Sequence, residues 1–266
     1  MKLDGSTILV TGASSGIGEA LAPMLAAKGA TVGIVARRED RLAATLKRCS
    51  EHAPKSRMWS VDLSDVDSAV RLVDEAWTAF GGIDCLINNA AVGKRKFLLD
   101  HTPDDLEYVM RTNFMSPVRM SIAMAQKMVG RGSGTIVNVA SGGGRFGIVH
   151  ESAYCAAKFA LSGWTEVAAM DLADSPVEMK LIQPGAIDTE IWIPQPGELP
   201  GLPGAEFATP QECAAGIADA LEAEGFEFFV PADLKGPVDM KNADIDGWIQ
   251  MMAALGRLKT EAPSES

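Results

Sequence analysis

Tyr154 and Lys158 stand four residues apart in the run Tyr154-Cys155-Ala156-Ala157-Lys158. On a helix that spacing puts both side chains on one face. A phenol ordinarily titrates near about 10, and an ammonium beside it favours the phenolate and lowers that value. Such a pair can give and take a proton near neutral pH. The spacing is common in unrelated sequences, so its meaning depends on what surrounds it.

A second run with chemical potential is Gly12-Ala13-Ser14-Ser15-Gly16-Ile17-Gly18, between the apolar stretch Thr7–Thr11 and a helical pattern. Gly12 allows a tight turn off a strand, Gly16 lets backbone approach a ligand, and Gly18 lets a helix pack close to a sheet. The helix start then offers free N–H groups and the positive end of its dipole to a pyrophosphate. Ser14, Ser15 and Ile17 lie in the turn itself. At the end of the next strand, an Asp or Glu would bond a ribose 2′-hydroxyl. Here the residues are Ala36-Arg37-Arg38. Two guanidiniums suit a 2′-phosphate, which predicts NADP(H) in preference to NAD(H).

The elements that must position these residues alternate along the chain. Thr7–Thr11, Thr31–Ala36, Arg57–Asp62, Asp84–Asn88, Thr135–Ala140, Met179–Gln183 and Glu227–Val230 read as strands. Gly16–Lys28, Glu39–Cys49, Asp65–Phe80, Pro103 to Val129 and Ser152–Leu172 read as helices, with another near Ile245–Leu255. The strands are continuous apolar runs, which suits burial on both faces of a parallel sheet. The prediction is α/β: a Rossmann-type doubly wound sheet of about seven strands with helices on both faces. No linker divides the chain, so one catalytic domain is expected over residues 1–258. The segment Ala186–Pro210 breaks the pattern with prolines at 194, 196, 200, 203 and 210 and with Ile191, Trp192 and Ile193. A loop this long is usually functional or disordered. The polar tail 259–266 is expected to be flexible.

The chain has 266 residues and a net charge of −11. That balance argues against a nucleic-acid partner, although a local basic patch can override it. Cys49, Cys85, Cys155 and Cys213 show no CxxC spacing and there are only three histidines, so reduced, buried thiols and no metal are expected. The start of the chain lacks the order of a signal peptide, and no stretch is long and apolar enough to span a membrane. A soluble protein of the cytoplasm is the simplest expectation.

The motifs come in a telling order: TGASSGIG, then Asn88-Asn89-Ala90-Ala91, Asn113, Ser141, Tyr154 thirteen residues later, Pro184-Gly185 and Thr189. Over about residues 5–232 this resembles the short-chain dehydrogenase/reductase family. The resemblance implies that Tyr154 protonates a carbonyl oxygen during reduction and deprotonates an alcohol in reverse. Lys158 would hold the nicotinamide ribose and lower the Tyr154 pKa. Ser141 would donate to the substrate oxygen, and Asn113 would keep a water in a proton relay. Asp62 would hold the adenine amino group with Leu63 beside it, and Asn89 and Ala90 would lie along the cofactor. Pro184, Gly185, Ile187 and Thr189 would contact its nicotinamide end. Ala91 stands where the family usually has Gly, and either narrows the space near the nicotinamide or is tolerated.

The resemblance places a flexible Gly142-Gly143-Gly144 wall and the 186–210 lid around the substrate. Gly143, His150, Ile191 and Trp192 are the candidate substrate contacts, and the apolar lid residues suggest a lipophilic ketone or alcohol. Lys94-Arg95-Lys96 either attracts an acidic acyl carrier or is a solvated loop. The helix near 245–255 either caps the pocket or meets another subunit. Met110, Met115, Met120, Met124 and Met128 fall on the long helix that, by resemblance, pairs across a two-fold in a homodimer or homotetramer. The expected activity is NADPH-dependent interconversion of a carbonyl and a secondary alcohol. A 3-oxoacyl thioester reductase is the alternative, and a non-catalytic cofactor-binding sensor or scaffold the more distant one.

Overall fold

The structure, a computed structural model, describes residues 1–201 and 206–257. The tail expected to be flexible, 259–266, and Pro203 lie outside the described residues. Seven strands run β1 (Thr7–Thr11), β2 (Thr31–Ala36), β3 (Arg57–Ser60), β4 (Cys85–Asn88), β5 (Gly134–Val139), β6 (Val177–Pro184) and β7 (Glu227–Val230). They form one sheet in the order β3-β2-β1-β4-β5-β6-β7, and every pair is parallel. The order reverses direction between β1 and β4. A crevice at the carboxyl ends of these two strands is therefore the expected ligand site of such a sheet.

The helices are α1 (Gly16–Ala27), α2 (Glu39–Ser50), α3 (Val66–Phe80), α4 (Pro103–Met110), α5 (Ser116–Arg131), α6 (Ser152–Asp171), α7 (Pro210–Glu222), α8 (Lys235–Ala243) and α9 (Ile245–Arg257). Leu21 and Leu25 of α1, Leu42 of α2, and Ile217 and Leu221 of α7 pack with Val10, Ile34 and Ile182 on one face of the sheet. Leu72 and Val73 of α3 and Met120, Met124 and Met128 of α5 pack with Leu9, Leu86 and Ile136 on the other. Three of the five methionines on the long helical stretch are therefore core, whereas Met115 is exposed.

Several boundaries differ from the sequence expectation for local reasons. The third strand stops at Ser60, because Asp62 accepts from the Ser64 amide and Asp65 caps α3 through the Ser68 amide. The long helix expected from Pro103 to Val129 is divided by a π turn at Arg111–Met115. Pro117 lacks the amide that an α-helix would offer to the Asn113 carbonyl, and the Ser116 amide bonds Arg111 instead. Helix α7 was not anticipated, although Thr209-Pro210-Gln211-Glu212 is a full capping box with proline at the helix start.

A buried polar chain ties the layers together behind the crevice. Asn88 on β4 donates to Asn138 on β5 at 2.8 Å and to Ser121 on α5 at 3.0 Å, and Asn138 donates to Thr165 on α6 at 2.9 Å. Each group is buried, so losing one partner would strand another at a cost of about 1–3 kcal/mol. The network fixes the strand ends from which the site residues emerge.

Candidate active site

The glycine turn after β1 is built for close approach. Gly12 has φ +72° and Gly16 φ +55°, both in the left-handed region. A Cβ at Gly12 would sit 2.7 Å from Ala90 Cα, and one at Gly16 would sit 2.8 Å from Thr189 Cγ2. A Cβ at Gly18 would collide with the Gly12 carbonyl, so Gly18 serves helix packing and does not line the cavity. Thr11 Oγ1 accepts from the amides of Asn89 and Ala90 at 3.0 and 3.1 Å, and Asn89 Nδ2 donates to the Thr11 carbonyl at 2.9 Å. The turn after β1 is thereby locked against the Asn88–Ala91 segment after β4.

This cradle opens one end of a cavity of about 1550 Å³. Gly12, Ser14, Ser15, Gly16 and Ile17 line it beside Asn89, Ala90 and Ala91. Arg37, Arg38, Asp62 and Leu63 line the end nearest β2. Pro184, Gly185, Ile187 and Thr189 line it after β6. The residues present thus fit a dinucleotide: space made by absent Cβ atoms, uncapped amides at the start of α1, and guanidiniums at one end.

The arginines are already engaged. Arg37 donates to the Tyr108 hydroxyl at 2.8 Å. Arg38 donates to Glu190 Oε2 at 2.6 Å and to Ser14 Oγ at 3.4 Å, and Arg41 donates to Glu190 Oε1. Arg41, with Arg38 beside it, holds the Glu190 carboxyl below its ordinary value. Neither Arg41 nor Glu190 was anticipated. The usable signal was Arg41 in the first turn of the helix expected over Glu39–Cys49, three residues after Arg38.

Ser141, Tyr154 and Lys158 share one wall of the cavity. Tyr154 and Lys158 lie one turn apart on α6, and Ser141 follows β5. Ser141 is fixed from two sides: its amide donates to Gln183 Oε1 at 3.1 Å and its Oγ accepts from the Gly143 amide at 3.0 Å. Lys158 is buried, and its Nζ donates to the Val139 carbonyl at 2.8 Å and lies 5.7 Å from the Tyr154 ring centre. Burial lowers the Lys158 pKa to about 7. Burial also raises the Tyr154 hydroxyl above its ordinary value, although its hydrogen bond with Ser141 works the other way. The net direction for Tyr154 is opposite to the lowering expected from its spacing to Lys158. Desolvation of the hydroxyl outweighs the hydrogen bond with Ser141 and the charge of Arg95.

Asn113 is brought near this wall but does not line it. Its Oδ1 accepts from the Val92 amide at 2.9 Å and its Nδ2 donates to the Val92 carbonyl at 2.8 Å. The side chain therefore braces the 88–93 segment, and only its backbone remains for another role.

At the opposite end, Ile191, Trp192 and Phe207 line the cavity. Trp192 donates to the Ile187 carbonyl at 2.8 Å and packs on Phe207 with ring centres 5.3 Å apart. The Lys94-Arg95-Lys96 run is not a solvated loop. Lys94 pairs with Glu198 at 3.0 Å and Lys96 with Asp105 at 2.7 Å. Buried Arg95 donates to the carbonyls of Ile191 and Leu199 at 2.9 and 3.1 Å and lies over the Trp192 ring. It clips the lid segment down.

Two further expectations are corrected here. Gly142–Gly144 is a tightly packed turn, not a flexible wall: a Cβ at Gly144 would lie 2.6 Å from Ser162 Oγ, and one at Gly142 would lie 2.8 Å from the Phe146 ring. Gly143 does line the cavity. His150 does not, because its ring packs edge-on against Phe97 at 4.5 Å and abuts Gly256 of α9. Of the two roles open to the helix near 245–255, the structure shows the first. Trp248 packs on Phe146, 5.0 Å between ring centres, and Met252 enters the cavity wall.

Among the described residues, no group of three or more His, Cys, Asp or Glu could hold a metal, and no helix is long and apolar enough to cross a membrane. All four cysteines are buried and unpaired.

The comparisons with known proteins agree with this geometry. The oxidoreductase YxnA of Bacillus subtilis is 39% identical over 191 residues, 71% of this chain; the match spans about half of that protein's length, 54%. Galactitol 2-dehydrogenase of Agrobacterium fabrum is 34% identical over 92% of this chain and 94% of its own. The 3-oxoacyl-[acyl-carrier-protein] reductase FabG of Vibrio harveyi is 30% identical over 82% and 90%. A short-chain dehydrogenase/reductase from Burkholderia phymatum in complex with NAD has a TM-score of 0.82 at 25% identity, covering 92% of this chain and 96% of its own. A short-chain dehydrogenase from Sphingobium yanoikuyae in complex with NADPH gives 0.79 at 26%, covering 92% and 95%. The family model described as short chain dehydrogenase matches residues 6–198, the stretch that runs from the start of β1 through the glycine cradle and the Ser141–Tyr154–Lys158 wall into the lid. The chain is an oxidoreductase of the short-chain dehydrogenase/reductase family.

Proposed function

We propose that the protein interconverts a carbonyl and a secondary alcohol on a lipophilic small molecule, using NADP(H) in preference to NAD(H). The observation that carries this reading is the continuity of one cavity from the glycine cradle and its arginines to the wall of Ser141, Tyr154 and Lys158. When bound, the nicotinamide supplies or accepts the hydride. Ser141, held at its amide by Gln183 and at its Oγ by Gly143, donates from that hydroxyl to the substrate oxygen and stabilises charge that develops there. Tyr154 gives its hydroxyl proton to that oxygen in reduction and takes it back in oxidation. Its raised pKa keeps the acid form filled, so reduction runs readily at neutral pH, and oxidation speeds up as pH rises toward the Tyr154 value. Lys158 binds the ribose beside it. Asn113 holds the 88–93 segment in register and leaves its backbone carbonyl, which no Pro117 amide can reach, for a relay water.

Arg37, Arg38 and Arg41 support a 2′-phosphate, because no carboxylate from the end of β2 stands where a ribose 2′-hydroxyl would need one. Ile191, Trp192, Phe207, Ile148 and Met252 support an apolar substrate. A 3-oxoacyl thioester is the second reading, favoured by the likeness to FabG. The pairing of Lys94 and Lys96 with Glu198 and Asp105 leaves less positive charge there for an acidic carrier. We also propose a homodimer or homotetramer in the cytoplasm. Met115, Ile122 and Val129, seven residues apart along the long helical stretch, and Phe159, Val167 and Met170 on α6 form exposed apolar stripes.

The test is NADPH oxidation with ketones, aldehydes and acyl thioesters, with NADH as control. Turnover of lipophilic ketones with a higher kcat/KM for NADPH is expected. Preference for NADH would overturn the cofactor assignment, and preference for acyl thioesters would select the second reading.

A further inference from the structure

Glu190 opens the short turn Glu190–Trp192 through which the chain enters the lid, and its carboxylate reaches to the far end of the cavity. There it bridges Arg38, which donates to Oε2 at 2.6 Å, and Arg41, which donates to Oε1. Arg38 also donates to Ser14 Oγ in the glycine turn, so one guanidinium links cradle and lid. The partners are 152 and 149 residues apart in sequence, so only the fold brings them together. Two guanidiniums closing on a carboxylate make an anion site with an anion already in it. A 2′-phosphate brings more charge and more acceptor oxygens to the same donors than a carboxylate does.

We propose that Glu190 is an internal competitor for the anion site of Arg38 and Arg41, and so a specificity-determining residue: the 2′-phosphate of NADP(H) displaces its carboxylate, whereas the 2′-hydroxyl of NAD(H) leaves it in place. The inference rests on the NADP(H) reading. Two consequences follow from the exchange. The carboxylate lowers affinity for a 2′-phosphate, by a modest factor because ion pairs this exposed are individually weak. Displacement also frees the first turn of the lid, whose Trp192 and Ile193 amides bond Thr189 and Glu190 at 3.1 and 3.0 Å. The adenosine end of the cofactor is thereby coupled to the substrate end of the cavity.

The test uses adenosine 2′,5′-bisphosphate and 5′-AMP, which differ in the 2′-phosphate and carry no nicotinamide. Both are titrated by calorimetry into the wild-type chain and into Glu190→Gln, a surface change that keeps the fold. Glu190→Gln is expected to bind the bisphosphate about 3- to 10-fold tighter, with 5′-AMP changed less than about twofold. Amide exchange across 190–193, read by mass spectrometry, should quicken in the wild type with the bisphosphate but not with 5′-AMP. In Glu190→Gln it should be fast throughout. An equal gain for both ligands would show only a general charge effect and overturn the inference, as would exchange that ignores the 2′-phosphate. A wild-type preference for the bisphosphate that Glu190→Gln leaves unchanged overturns the inference and keeps the NADP(H) reading. No wild-type preference, with one appearing in Glu190→Gln, shows a carboxylate that the 2′-phosphate does not displace, and overturns both the inference and the NADP(H) reading. No preference in either protein overturns both.

Discussion

Replacing Lys158 by Met should make the ligand-free protein more stable while removing its activity. Lys158 is 1% exposed, and its pKa falls from 10.5 to about 7 because burial disfavours the ammonium. In the unfolded chain the same group holds its proton up to about 10.5. Unfolded molecules therefore bind more protons than folded ones between about pH 7 and pH 10.5, and stability rises with pH across that window. At pH 7 the burial penalty is on the order of 4 kcal/mol by this linkage. Met fills a similar volume without charge, but leaves the Val139 carbonyl without the donor it has now at 2.8 Å, which costs about 1–3 kcal/mol. The difference leaves a net gain of roughly 1–3 kcal/mol, or a Tm higher by about 3–10 °C. Thermal unfolding of both proteins without cofactor, followed by circular dichroism from about pH 6 to pH 10, checks this. The Tm gap should be widest below pH 7 and close as pH rises. A Lys158→Met protein less stable than wild type at pH 7 or below, or a gap that ignores pH, would refute the reasoning.

Tyr154→Phe should lower kcat by about 10²- to 10⁴-fold while leaving the NADPH dissociation constant within about threefold, measured by turnover and fluorescence titration. Gly144→Ala should cost about 1–3 kcal/mol of stability, because its Cβ would press on Ser162 Oγ and the Lys158 carbonyl; unchanged thermal unfolding would show that the turn is looser than described. Gly130→Ala, on the exposed end of α5 with nothing near its Cβ, should instead stabilise by about 0.5–1 kcal/mol in the same assay. Light scattering at micromolar concentration should give a dimer or tetramer mass, and Ile122→Glu should shift it toward the monomer if the exposed stripe on α5 is the contact.

What was legible in the sequence is what local chain geometry dictates. The apolar runs of β1, β4 and β5 have to be buried on both faces, and that alone implies a sheet covered by helices. Gly12 and Gly16 need a left-handed φ, so their place after a strand marks a turn that no other residue type would fill as cheaply. The four-residue step from Tyr154 to Lys158 survives because α6 is long and regular. The missed features depend on distant partners. Nothing near Glu190 announces Arg38 and Arg41, and nothing near Arg95 announces Ile191 and Leu199. The π turn was missed because its cause, a proline four residues after Asn113, reads equally well as a helix start.

The sign of the Tyr154 shift shows where reasoning from spacing gives way to reasoning from burial. Spacing says that a lysine one turn away helps a phenol ionise, and in water it would. Inside the wall both groups lose solvent together, and each is pushed toward its neutral form, Lys158 downward and Tyr154 upward. Under the proposed function this is the state that carbonyl reduction starts from, a protonated phenol beside a lysine that is easily recharged near pH 7. Any charge that later enters the cavity acts at low dielectric, where it moves both values further than it would at the surface. Cofactor binding should accordingly change the pH profile of Tyr154 more than any surface substitution. A pH–rate profile for alcohol oxidation whose rising limb is unaffected by Lys158→Arg, yet shifts with Ser141→Ala, would place that control in the Ser141 hydrogen bond instead.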